Sequence, residues 1–172
     1  METKEIIQNE ATAEMIPVTQ QPDGPGLRMG KKGELTMIGN LLPGGAEKFR
    51  ERVAQFQAEA NYYESRVGTV QDFRGLIFDN DTRFILTVVY DGDFKPYLDD
   101  IATHAGPWLD ALGTDVLEGY PGMDSPHVGE WVVSLLIPAE FFWAANSHLS
   151  GRDVKKIEKV AKAVDALFDA AQ

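Results

Sequence analysis

The stretch VQDFRGLIFDNDTRFILTVVYDGDFKPYLDDIA, residues 70–102, reads as two strands followed by the start of a helix. Thr69–Phe78 and Arg83–Tyr90 are rich in β-branched and aromatic residues. Between them lies Asp79-Asn80-Asp81-Thr82, a short polar turn of the kind that closes a hairpin. Asp91-Gly92-Asp93 then opens a helix, with Asp91 and Asp93 as its expected caps. Phe94, Tyr97, Leu98, Ile101, Ala105, Trp108, Leu109 and Leu112 recur at helical spacing and share one face. Gly106-Pro107 predicts a kink or a break near Ala105, and Gly113 closes the helix.

Upstream, residues 34–42 read as a first strand, stopped by Pro43-Gly44-Gly45. Ala46, Phe49, Val53, Phe56, Ala60, Tyr63 and Val67 then fall at alternating steps of three and four, which predicts an amphipathic helix ended by Gly68. Downstream, Thr114–Tyr120 reads as a short strand before Pro121-Gly122. The order is β-α-β-β-α-β, the ferredoxin-like unit of the α+β class. Glu130–Ile137 is strongly apolar and is expected as an added strand, with Phe141–Asn146 as another short one. Ser150-Gly151-Arg152-Asp153 has the form of a capping box. The helix it opens sets Val154, Ile157, Val160, Ala161, Val164, Leu167 and Phe168 against lysines 155, 156, 159 and 162. Residues 1–33 carry a turn-rich polar run, Gln20 to Gly26, and are expected as a flexible N-terminal extension. The alternative is an arm that packs on a partner or covers a pocket. Residues 34–172 are expected as one domain.

The chain has 172 residues, 44% hydrophobic and 25% charged, enough for one core. Its net charge of −11 argues against a nucleic-acid backbone or an anionic membrane as partner. The absence of cysteine excludes disulfides, thiolate metal sites and a cysteine nucleophile. The apolar runs are far short of the roughly 20 residues that cross a membrane. The opening Met-Glu-Thr-Lys-Glu lacks an apolar signal core. The expected setting is therefore cytoplasmic.

The run LTMIGNLLPGGAEKFRERV, residues 35–53, together with residues 70–102, resembles the dimeric α+β barrel superfamily. That superfamily includes antibiotic-biosynthesis and haem-degrading monooxygenases. The resemblance covers roughly residues 34–120. It implies a homodimer in which two sheets pack face to face. The residues suggest the same independently. Phe84–Tyr90 and Trp131–Ile137 are apolar at nearly every position, as in strands buried on both faces, and helices can cover only one of those faces.

His104, His127 and His148 have no zinc-ligand spacing, and the acids at 91, 93, 99 and 100 lack the order of a calcium loop, so no metal site is expected. Serine-nucleophile and phosphate-loop motifs are absent. What is left is an aromatic-lined cavity with a few polar groups. The resemblance implies a catalytic set of Asn40, Tyr97 and His104. Tyr97 and His104 stand two helical turns apart, which supports a shared pocket. Arg74 is either at an exposed alternate position or a ligand-binding cation in the pocket, and Trp108 is a second ligand-binding candidate. Gly75 beside Arg74 marks a bulge or a close approach.

Three functions stay open. One is a cofactor-independent oxygenase acting on an aromatic or polyketide-type substrate, with Asn40 stabilising an oxyanion. Another is a non-catalytic dimer that binds a hydrophobic small molecule, or binds haem through His104. The third is a structural or regulatory dimeric module.

Overall fold

The computed structural model describes residues 16–170. Five strands and four helices follow one another: β1 (Val18–Gln20), β2 (Leu27–Met29), β3 (Lys32–Asn40), α1 (Gly45–Val67), β4 (Val70–Phe78), β5 (Arg83–Asp91), α2 (Phe94–Gly113), α3 (Val128–Leu135) and α4 (Gly151–Ala170). The sheet order is β1-β2-β3-β5-β4, antiparallel throughout. The molecule is therefore α+β, and the run β3-α1-β4-β5-α2 is consistent with a ferredoxin-like fold.

The decisive hairpin forms as its residues dictate. Asp79, Asn80 and Asp81 all take left-handed backbone angles, with φ of 55°, 53° and 66°. Asn and Asp tolerate that region better than other side chains. Arg50 of α1 clamps the Asp81 carboxylate with two hydrogen bonds of 2.8 and 2.6 Å, which holds the turn against the helix. At the other end of α1, Gly68 adopts φ 69° and its N–H donates to the Glu64 carbonyl at 2.6 Å. Helix α2 runs through Gly106-Pro107 with no break. Thr103, whose carbonyl Pro107 cannot serve, lies on the exposed side where water can take the bond.

Strand alternation assigns the faces. Leu35, Met37, Phe84, Leu86, Val88, Tyr90 and Phe73 point to the helices and form the main core with α1, α2 and α3. Gly33 is required on that face. A Cβ there would lie 2.7 Å from Tyr90 Cζ and would run into the Gln21 amide. Ile38, Ile85, Thr87, Leu76 and Phe78 point the opposite way. Part of that outer face is covered by the chain after α3, where Phe142 packs on Leu27 and Met29.

Several expectations are corrected. Thr114–Tyr120 is not a strand. Asp115 and Gly119 are left-handed, and the segment touches β3 only through a bridge between Leu117 and Leu41. Beside β3, β2 pairs only at Lys32 and Gly33, with β1 beyond it, and both come from the stretch expected as a flexible extension. The part of that extension before residue 16 lies outside the described residues. Glu130–Ile137 is helical over Val128–Leu135, and only Leu136 bridges to Met37 of β3. An apolar run this short fits either a strand or a buried helix, and here the helix sets Val128 and Val132 into the core. Phe141–Asn146 carries no strand. The caps of α2 also differ. Asp93 stands at the N-cap position without bonding the helix and pairs with Arg28 instead. Asp23, from the N-terminal loop, accepts from the N–H groups of Phe94 at 3.0 Å and Lys95 at 2.9 Å.

Asp91 has a different task. It takes Lys32 Nζ at 2.7 Å, Gln71 Nε2 at 3.0 Å and the N–H of Gly151 at 2.6 Å, so one carboxylate ties β3, β4 and the start of α4 together. The capping box of α4 forms as read. The Asp153 N–H donates to Ser150 Oγ at 3.2 Å, and the Ser150 N–H donates to Asp153 Oδ2 at 2.9 Å.

Candidate functional site

An apolar cavity of about 90 Å3 lies between the inner face of the sheet and the helices. Leu35 and Met37 of β3, Phe73 and Gly75 of β4 and Val88 of β5 form its floor. Tyr97, Ile101 and Leu109 of α2 and Phe49 of α1 form its walls, and Trp131 and Val132 of α3 line it with Tyr120 and Met123. Gly75 matters here because it places no side chain on the inner face, and the Phe49 ring fills that spot only in part, 3.2 Å from where a Cβ would sit. The bulge in β4 lies between Val70 and Asp72, so Gly75 serves a close approach and not a bulge.

The polar side chains lining the cavity are two phenols and the Trp131 indole, whose Nε1 donates to the Glu118 carbonyl at 3.3 Å. Tyr120 donates its hydroxyl to Asp110 Oδ1 at 2.7 Å, and the N–H of Met123 donates to the same oxygen at 2.9 Å. Burial, and then the hydrogen bond to the Asp110 carboxylate, pushes the Tyr120 phenol far above its ordinary range. Tyr97 is fully enclosed and stacks on Tyr90 with ring centres 4.1 Å apart. Burial, and then the neighbouring Tyr90, raises its phenol as well. Both stay protonated and the single O–H of Tyr120 is spent on Asp110, so neither phenol can act as a base.

The structure does not bring the five sequence-derived candidates together. Tyr97 lines the cavity. Trp108 lies in the core behind it, stacked on Phe56 at 3.8 Å, with Tyr63 at 5.4 Å, and its Nε1 donates to the Phe56 carbonyl at 2.9 Å. It joins α2 to α1. His104 is exposed. The two-turn spacing from Tyr97 fails to give a shared pocket because seven residues turn a helix by about 20° short of two full turns. The buried face of α2 is centred on the other side of Tyr97, along Ile101, Ala105 and Trp108. Asn40 is exposed on the outer face, and its Nδ2 donates to Glu118 Oε2 at 2.8 Å. Arg74 is exposed on the outer face, and its Nε pairs with Asp72 at 2.7 Å.

The residues do not fit haem. His104 does not line the cavity, and a space of about 90 Å3 suits a single small ring and not a macrocycle. Among the described residues, no three His, Asp or Glu side chains are placed to hold a metal ion. No helix among them is long and apolar enough to cross a membrane.

Sequence reasoning missed Tyr120, Met123, Trp131 and Val132 as lining residues. They belong to segments expected as strand or loop, and the apolar run around Trp131 was the one available signal. The chain matches no protein-family model, no curated protein and no solved structure.

Proposed function

We propose that the protein binds a small hydrophobic molecule, a single aromatic ring or a ligand of that size, in the cavity between α2 and the sheet. The observation that carries this reading is the apolar lining, interrupted only by the phenols of Tyr97 and Tyr120 and the Trp131 indole. The space of about 90 Å3 opens at the β4 side, where Leu76 is 50% exposed, and its apolar lining there lacks packing partners. A ligand that fills it recovers the lost packing, as benzene does in an apolar cavity of about 150 Å3. Binding is favoured over oxygenase chemistry because Asn40 and His104 stand outside the cavity and both lining phenols hold their protons. The reading also takes the protein as a cytoplasmic homodimer. Support for the dimer comes from Ile38, Ile85 and Leu76 on the outer face of the sheet, where no described helix packs.

The test is titration with benzene, toluene and p-cresol, followed by thermal unfolding and by amide chemical shifts. At least one probe is expected to raise the melting temperature saturably and to shift signals from β5 and α2. Val132→Phe, which adds a ring at the wall of the cavity, is expected to abolish the effect while the protein stays folded. No saturable response to any of the three, or an undiminished response in Val132→Phe, overturns the reading.

A further inference from the structure

Helix α4 spans Gly151–Ala170, roughly 30 Å at 1.5 Å per residue. Its first turns are tied down. Asp91 takes the Gly151 N–H, Lys31 pairs with Asp153 at 2.8 Å, and Lys155 pairs with Glu64 of α1 at 2.7 Å. None of its residues is buried. Yet its stripe is apolar, with Ile157 54% exposed, Val160 64%, Leu167 71% and Phe168 66%. A 20-residue helix is marginal alone in water and takes most of its stability from packing such a face. The stripe at 154, 157, 160, 161, 164, 167 and 168 fills about three of every seven positions, which suits a broad surface better than the narrow seam of a two-helix coiled coil.

We propose that α4 of each copy lies across the outer sheet face of a second copy, against Ile38, Ile85, Leu76 and Phe78, in a reciprocal exchange of arms. The proposal rests on the homodimer reading above and names the surfaces that make it. The helix starts beside Asp91 and Lys31 and runs past Glu64 near the end of α1. The stripe leaves on the order of 600 Å2 of apolar surface open per helix, so two full seatings bury up to roughly 1,200 Å2 from the helices, to which the sheet faces add, the range of a stable interface. Charge agrees. Residues 151–170 carry five Lys or Arg and four Asp or Glu, net +1, which leaves −12 for the rest of a chain at −11. The exchange sets a helix of net +1 from each copy on a body that is acidic as a whole.

The natural chain has no cysteine, so single cysteines report cleanly. Isotopically labelled Leu76→Cys is mixed with unlabelled Val160→Cys and treated with a short bis-maleimide. A cross-link between labelled and unlabelled chains is expected. The double variant Ile157→Asp/Leu167→Asp changes exposed residues only, so it is expected to fold and to weaken the dimer by roughly 100-fold or more in sedimentation. If that variant stays dimeric, the arm exchange is overturned while the homodimer stands. If the natural chain is a monomer at micromolar concentration, both fall. Val160→Cys chains linking only to one another point to helix pairing and overturn the exchange. Co-sedimentation of a monomeric natural chain with phosphatidylserine vesicles overturns it in favour of a membrane surface.

Discussion

Replacing Asp23 with alanine tests whether the N-terminal loop is part of the domain. Asp23 takes the first two N–H groups of α2 from about 70 residues away in sequence, at 3.0 and 2.9 Å. Those groups have no partner within the helix, and a carboxylate there also meets the positive end of the helix dipole. Asp23 is exposed, so water can replace it in part. The cost is therefore that of an ordinary cap, about 1 kcal/mol. For a chain of this size that lowers the melting temperature by about 2–4 °C. Asp93→Ala is the matched control, because Asp93 occupies the N-cap position yet makes no capping bond. Its partly exposed pair with Arg28 is worth little, and a loss below about 0.5 kcal/mol is expected. Thermal and urea unfolding of both variants at neutral pH give the comparison. If Asp93→Ala costs as much as Asp23→Ala, the helix is capped locally and the loop is not docked on it.

Two further substitutions probe the buried polar groups beneath that loop. Glu34 is 5% exposed and accepts from the Leu27 N–H at 2.8 Å, and burial raises its carboxyl despite that bond and the one from Thr36. The folded state thus holds this proton more tightly than the unfolded state, so its contribution is full below the ordinary carboxylate range and is lost as pH rises through the raised value. Glu34→Gln keeps an acceptor for Leu27, and urea unfolding is expected to show it more stable than the natural protein at pH 8 but no more stable at pH 4; parallel pH profiles refute this. Lys32 and Asp91 form an ion pair with side chains only 7% and 10% exposed. Lys32→Ala leaves the buried carboxylate with Gln71 and Gly151 but no cation and is expected to cost about 3 kcal/mol in urea unfolding, whereas a loss under about 1 kcal/mol means that water reaches the site.

The elements legible in the sequence are those fixed by local chemistry. The hairpin follows from Asp79 to Thr82, the end of α1 from Gly68, and the start of α4 from the reciprocal bonds of Ser150 and Asp153. Each signal lies within a few residues of the structure it produces. The elements misread depend on distant pairing. Leu117 meets β3 only through the bridge to Leu41, because left-handed Asp115 and Gly119 turn the chain away on either side of it. The run Trp131–Ile137 has no period to separate helix from strand. Its register was decided by where Val132 and Leu135 could reach the core.

The cavity was hidden for a related reason. An aromatic at helical spacing, such as Tyr97 or Trp108, signals burial, and burial alone does not separate a packed wall from a lined space. What makes the space is a shortfall of volume where five segments meet. Gly75 supplies no side chain, Phe49 only approaches it, and the wall of Tyr120, Trp131 and Val132 comes from a region read as strands. Each of these residues is unremarkable in its own stretch. The polar candidates were chosen by the opposite logic, as groups able to do chemistry, and such groups are stable at the surface without a partner in the core. Asn40 with Glu118 and Arg74 with Asp72 are satisfied there. In a cavity whose phenols keep their protons, a buried polar side chain would need its own hydrogen bond to offset about 1–3 kcal/mol of lost hydration. Tyr120 has one in Asp110, which is why a polar group survives at that wall. A ligand that enters must be one that asks for little more than contact.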